Sequence, residues 1–124
     1  VYKRQILARV RNKAFWGLPG HVVSAMVVFS RIVKPFIEHV SGHADVHRKK
    51  IRLTAKLSRG LASAQGRVDY IRTRLKQKKG VLWAEPILGK SGLISTMVKA
   101  DGLIEIGMNT EGLDEGTHVE VILV

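Results

Sequence analysis

Cysteine is missing from the 124 residues, which excludes disulfide scaffolds, thiolate metal sites and cysteine nucleophiles. No apolar stretch approaches the roughly 20 residues that a membrane span needs; the longest, such as residues 22–29, fall far short. The opening Val1-Tyr2-Lys3-Arg4-Gln5 is not followed by an apolar core and a small-residue cleavage site, so no secretory signal is visible. The expectation is a soluble, cytoplasmic protein without a membrane partner. Aromatic residues make up only 6%, leaving little material for the aromatic platforms of single-strand nucleic-acid binders. What remains is ordinary globular composition, 45% hydrophobic and 25% charged, which argues against wholesale disorder.

Acidic residues are also in short supply, 10 against 21 lysines and arginines, for a net charge of +11. Their distribution is uneven: residues 1–42 carry +6, residues 43–80 carry +10 and residues 81–124 carry −5. A basic middle beside an acidic end points to a partner bearing phosphate or another oxyanion, either nucleic acid or a small anionic substrate. Charge alone does not choose between them.

Two textures divide the chain. Residues 6–17 read as a mixed segment ending in a short buried strand, Ala14-Phe15-Trp16-Gly17. Gly17-Leu18-Pro19-Gly20 then makes a tight turn. A helix follows over residues 21–40, because Val22, Met26, Phe29, Val33, Phe36, Ile37 and Val40 recur at three- and four-residue steps. Pro35 should kink that helix or end its first part, and Ser41-Gly42 supplies the stop. Strand, turn and helix together read as the last β–α unit of an α/β domain. From about Arg48 short runs alternate with glycines, and strands are expected near 49–56, 67–77, 81–86, 93–99, 103–106 and 117–124. Such spacing suggests a small β-barrel or sandwich. The expected class is therefore α+β, with an α/β end over residues 6–46 and a barrel-like domain over 47–124. Residues 1–5 are expected to be non-native read-through, because their codons can match a common sequencing adapter.

Several groups of residues can carry chemistry. The Gly17–Gly20 turn can cradle an anion through backbone N–H groups and the helix N-terminus, or be a plain strand-to-helix turn. In a strand, Arg72, Arg74, Lys76 and Lys78 share one face and Ile71, Thr73 and Leu75 the other. One arginine in such a row can hold a tetrahedral oxyanion bidentately, while a solvated outer face is the ordinary alternative. Only Tyr70 and Trp83 are near enough to serve as stacking partners for a nucleic acid. His39, His43 and His47 are separated by the Gly42 stop and lack a complementing acidic cluster, so no metal site is assigned. Ser91 in Lys90-Ser91-Gly92 has no evident base, and Asp101, Glu111, Asp114 and Glu115 read as turn-forming carboxylates.

Taken in order, Phe15-Trp16-Gly17-Leu18-Pro19-Gly20, Val23-Ser24-Ala25, Gly66-Arg67-Val68-Asp69-Tyr70-Ile71-Arg72, Gly89-Lys90-Ser91-Gly92-Leu93, Ala100-Asp101-Gly102-Leu103-Ile104 and the closing Glu115-Gly116-Thr117-His118-Val119 resemble the molybdopterin molybdotransferases, the MoeA proteins and the E domain of gephyrin. The likeness runs from about residue 6 to the end. It implies the close of a MogA-like molybdopterin-binding α/β domain followed by the family's fourth domain. It also implies a homodimeric parent enzyme that inserts molybdenum from molybdate into adenylylated molybdopterin and releases AMP, with Mg2+ as the divalent ion. By position, Arg72 and Ser91 match the family's cleft-facing arginine and serine, and Pro19, Gly20 and Ser24 match its substrate-lining loop. Where the family reads Gly-Asn-Pro-Val-Ser-Ala, this chain has Gly20-His21-Val22-Val23-Ser24-Ala25. The chain is expected to be a C-terminal part of such an enzyme, inactive alone, with nucleic acid an unlikely partner. A basic β-barrel that binds RNA or another polyanion, and a non-catalytic dimerisation segment, are the competing readings.

Overall fold

The computed structural model describes residues 6–43, 51–89 and 94–124. Ser91, His47 and the expected domain boundary near 43–47 lie outside them wholly or in part. The chain divides into two compact units, one of residues 1–48 with 90–94 and the other of residues 49–89 with 95–124.

In the first unit, β1 (Ile6–Val10) and β2 (Lys13–Gly17) form an antiparallel hairpin with Ile6 opposite Gly17 and Val10 opposite Lys13. Arg11 and Asn12 both take positive φ, 48° and 62°, which is the two-residue turn whose twist suits a hairpin. The single buried strand expected here is thus the second arm of a hairpin, and Phe15 on it is exposed. The described residues of this segment form no parallel sheet, so the β–α unit read from the sequence is replaced by hairpin and helix.

The helix runs through α1 (Val22–Val28), a π-helical turn (Phe29–Val33) and α2 (Lys34–Val40). Pro35 has no N–H to offer the Arg31 carbonyl, and its ring would crowd that carbonyl in a regular α-turn. Widening by one residue relieves the clash, and the Lys34 N–H donates to the Phe29 carbonyl instead. The chain therefore stays helical through Pro35 to Val40. Gly42, at φ 82°, ends it: its N–H donates to the His39 carbonyl at 3.1 Å and that of His43 to the Glu38 carbonyl at 3.1 Å. This paired closure needs a left-handed residue, and glycine takes that conformation without strain.

The second unit is a closed five-stranded barrel. β3 (Arg52–Leu57), β6 (Val81–Pro86), β5 (Asp69–Lys78), β7 (Gly102–Ile106) and β9 (His118–Leu123) follow one another around it, and β9 pairs back onto β3. Only β3–β6 is parallel, with Lys56 opposite Trp83. A two-residue ladder, β4 (Leu61–Ala62) with β8 (Gly112–Leu113), caps the set. Ala55, Leu57, Leu61, Ala84, Ile104, Ile106, Val119 and Val121 fill the interior, with Ile71, Leu75, Leu82 and Leu113 packed against them. The period of two decides which side chains enter this core, and closure leaves no edge among the five strands unpaired. Gly102 is required by crowding, because a Cβ there would lie 2.5 Å from Val121 Cγ1 and 2.7 Å from the Ile122 carbonyl oxygen.

One expected strand is a helix. Residues 94–98 form α3 (Ile94–Val98), in which Met97 is buried while Ile94 and Val98 are exposed. A single inward side chain among outward neighbours is a helical pattern that resembles strand alternation when so short.

Candidate anion site on the barrel

β5 is the longest strand, and its first half pairs with β7 while its second half pairs with β6. Thr73 points inward and is fully buried, whereas Arg72, Arg74, Lys76 and Lys78 face outward. The four outward cations do not share one environment. Arg74 directs its Nε at the Lys99 carbonyl at 3.4 Å, and Lys76 is ion-paired with Glu85 on β6. Lys78 is exposed.

Arg72 differs from the others. It is half-buried, and its Nη2 donates to the Gly89 carbonyl at 3.0 Å. Its own carbonyl accepts the Ile87 N–H at 2.8 Å, so the segment leaving β6 is held to Arg72 at two points. Desolvation lowers the guanidinium pKa from its ordinary value, yet an arginine so perturbed remains cationic at neutral pH. One of its five donors is committed to Gly89, which orients the fork and leaves the remaining donors for an anion. A partly dehydrated, oriented guanidinium is the group best suited to bidentate oxyanion binding.

The segment from 87 to 101 is tied to the same strand at its other end. Asp101 donates its N–H to the Thr73 carbonyl at 2.9 Å, and its Oδ2 accepts the Leu75 N–H at 2.8 Å. The sequence alone assigns Asp101 to turn formation; its carboxylate in fact replaces a strand partner where β5 passes from β7 to β6. Nothing in the local pattern marks it beyond an Asp-Gly pair. Ser91 belongs to residues 90–93, outside the described residues, so its side chain is not placed against Arg72.

Pro19 and Gly20 lie in the turn between β2 and α1, with Pro19 half-buried and Gly20 exposed. Neither Gly17 nor Gly20 has positive φ, and a Cβ at Gly20 would meet nothing within 4 Å. His21 caps α1 without a side-chain hydrogen bond, and Ser24 is half-buried in the first turn. Among the described residues no group of three His, Cys, Asp or Glu side chains is placed to hold a metal ion. No described helix is long and apolar enough to cross a membrane.

Comparison with known proteins bears on this arrangement. Residues 54–124 match the model of one family, described as the MoeA C-terminal region (domain IV). A Methanocaldococcus jannaschii protein named for molybdopterin biosynthesis is 34% identical over 116 residues, 93% of this chain and 25% of that protein. The Bacillus subtilis molybdopterin molybdenumtransferase is 25% identical over 119 residues, covering 95% of this chain and 27% of that one. Among solved structures, a molybdopterin biosynthesis MoeA protein from Pyrococcus horikoshii superposes with a TM-score of 0.75 at 31% identity, over 96% of this chain and 28% of that chain. The chain thus spans about a quarter of the length of these relatives.

Proposed function

The chain belongs to the MoeA C-terminal region family, and from that premise we propose that it works in molybdenum cofactor biosynthesis as the C-terminal part of a molybdopterin molybdotransferase. The parent enzyme takes molybdate and adenylylated molybdopterin, inserts the metal and releases AMP. Relatives named molybdopterin molybdenumtransferase support this reading, as does the guanidinium on the barrel. The 124 residues alone do not turn over.

The single observation that carries the assignment is Arg72: a half-buried cation, oriented by the Gly89 carbonyl and partly stripped of water. Molybdate is a tetrahedral oxyanion, and the free donors of that fork suit two of its oxygens. Ser91, which matches the family's serine by position, is assigned as a hydroxyl donor in the full-length parent. Pro19, Gly20 and Ser24, which follow the hairpin, are assigned to substrate binding in the full-length parent. The parent is a cytoplasmic homodimer whose cleft draws on both subunits. Catalysis rests on bringing two anions together and stabilising their charge, with no covalent enzyme intermediate.

Magnesium is the divalent ion that the family implies for the full-length parent. No step is assigned to it here. The RNA-binding reading is weaker, because Arg74 and Lys76 of the outward row of β5 already engage protein groups.

The test is substitution in the full-length parent. Arg72→Ala and Ser91→Ala should each lower molybdenum insertion by about 10²-fold or more, the scale of losing one oriented charge-stabilising donor. Full activity in both would overturn the site assignment.

A further inference from the structure

A second basic surface lies farther along the barrel. The β5–β6 hairpin turns through Lys79 and Gly80, both at positive φ (49° and 77°), and places Lys78 opposite Val81 and Lys76 opposite Trp83. On the other side of Trp83 its cross-strand neighbour is Lys56 of β3. The outer faces of three strands therefore set one indole between two lysines, with two more lysines at the hairpin end. Ser58, Lys76, Lys78, Lys79, Val81, Trp83 and Glu85 enclose a groove of about 480 Å³. That size falls within the range of small-molecule sites.

The cations here are not equivalent. Lys76 pairs with Glu85, and this pairing holds the Glu85 carboxyl below its ordinary pKa, so the carboxylate is present at neutral pH. Among the described residues no carboxylate lies within ion-pair distance of Lys56, Lys78 or Lys79. The groove thus offers a flat apolar plate (Trp83 with Val81), ammonium groups with no ion-pair contact at one end, and an acceptor carboxylate with a serine hydroxyl at its margin. Each feature has a matching group on a nucleotide: a planar base, a run of phosphates, and exocyclic amine or ribose hydroxyls.

We infer that the outer face of the β5–β6 hairpin binds a nucleoside polyphosphate, its base on Trp83 and its phosphates on Lys78 and Lys79. A longer single strand fits less well. It would need successive stacking platforms and a continuous cationic track, whereas Trp83 is the one indole of the groove, Lys76 is paired with Glu85 and Arg74 directs its Nε at the Lys99 carbonyl. Along a strand Arg72 lies about 20 Å from Lys78, six residues at roughly 3.4 Å each, so this surface is separate from the oxyanion site proposed above.

Trp16 and Trp83 are the only tryptophans, so the full chain carrying Trp16→Phe reports on Trp83 alone. Titration with ATP should quench its fluorescence saturably with Kd of about 0.1–1 mM, the weak end of specific binding expected for an open groove. The double variant Lys78→Glu, Lys79→Glu should raise Kd about tenfold or more, because each reversal replaces an attraction with a repulsion. Lys34→Glu, on the helix of the other unit, should leave it unchanged. Equilibrium dialysis of ATP against the unsubstituted chain gives the same reading without the Trp16 change. Equal affinity for tripolyphosphate would overturn the proposal by showing that the base is not read. So would a uridine dodecamer binding more than about tenfold tighter than ATP at the same salt, or no saturation by ATP at about 10 mM. None of these readouts depends on molybdenum insertion, so their failure is distinguishable from failure of the molybdotransferase reading.

Discussion

Single side chains on β5 behave differently according to which way they point. Thr73 is fully buried, and its Oγ1 has no hydrogen-bond partner among the described residues. A buried hydroxyl without a partner forfeits its hydration for nothing in return. Thr73→Val keeps the shape and removes the orphaned group, so it should raise stability by about 1 kcal/mol, read as a higher melting temperature of the folded chain. Its neighbour Arg72 faces out, and there burial has the opposite value. Partial dehydration of the guanidinium strengthens whatever anion it meets. The row of four outward cations was legible in the sequence, since strand alternation alone places them together. Alternation alone does not rank Arg72 within it, and only the family resemblance singles it out, because its distinguishing bond is to the Gly89 carbonyl, 17 residues away.

At the scale of elements, the long helix and the barrel strands are legible in the sequence, β6, β7 and β9 among them at five or six residues, while the smallest elements are not. The helix over residues 21–40 was legible from its three- and four-residue steps, but the π-turn was not, because Pro35 can be accommodated by a kink, a stop or a widened turn. The β1–β2 hairpin was missed because Arg11-Asn12 carries no glycine, although asparagine tolerates the left-handed conformation found there. β4 and β8, at two residues each, are too short to show any period. Helix α3, at five residues, reads as a strand for a similar reason. The tie from Asp101 to β5 holds the end of α3 beside the strand that carries Arg72. Asp101→Ala should cost about 1–2 kcal/mol, since it removes a hydrogen bond to a charged acceptor and frees the Leu75 N–H. A urea titration checks this: the midpoint should fall with the slope unchanged.

For the whole molecule, the two units contrast in how they handle apolar surface. The barrel encloses a core, with Leu57, Ala84 and Val121 fully buried, and leaves scattered side chains such as Leu88 and Val98 exposed. The hairpin and helix leave much of theirs in solvent: Ile6, Leu7, Val10 and Phe15 on the hairpin, and Val22, Met26, Phe29, Ile37 and Val40 along the helix, all exposed. Exposed apolar surface of that extent marks a site of association. The 124-residue chain on its own should therefore self-associate at micromolar concentration, while limited proteolysis should spare the barrel longer than residues 6–43. Size-exclusion chromatography with light scattering reads the first point, and a monodisperse, protease-resistant monomer would contradict it.

Charge is likewise divided across the molecule, +10 over residues 43–80 against −5 over residues 81–124, and in the proposed function one cation of the basic part, Arg72, anchors the oxyanion substrate. The most direct measurement is the molybdate dependence of insertion by the full-length parent carrying Arg72→Lys. Lysine keeps the charge and loses the planar fork, so the KM for molybdate should rise about tenfold or more while the protein stays folded. A KM equal to that of the unsubstituted enzyme would mean that the guanidinium serves only to hold the Gly89 carbonyl, and that molybdate is bound elsewhere.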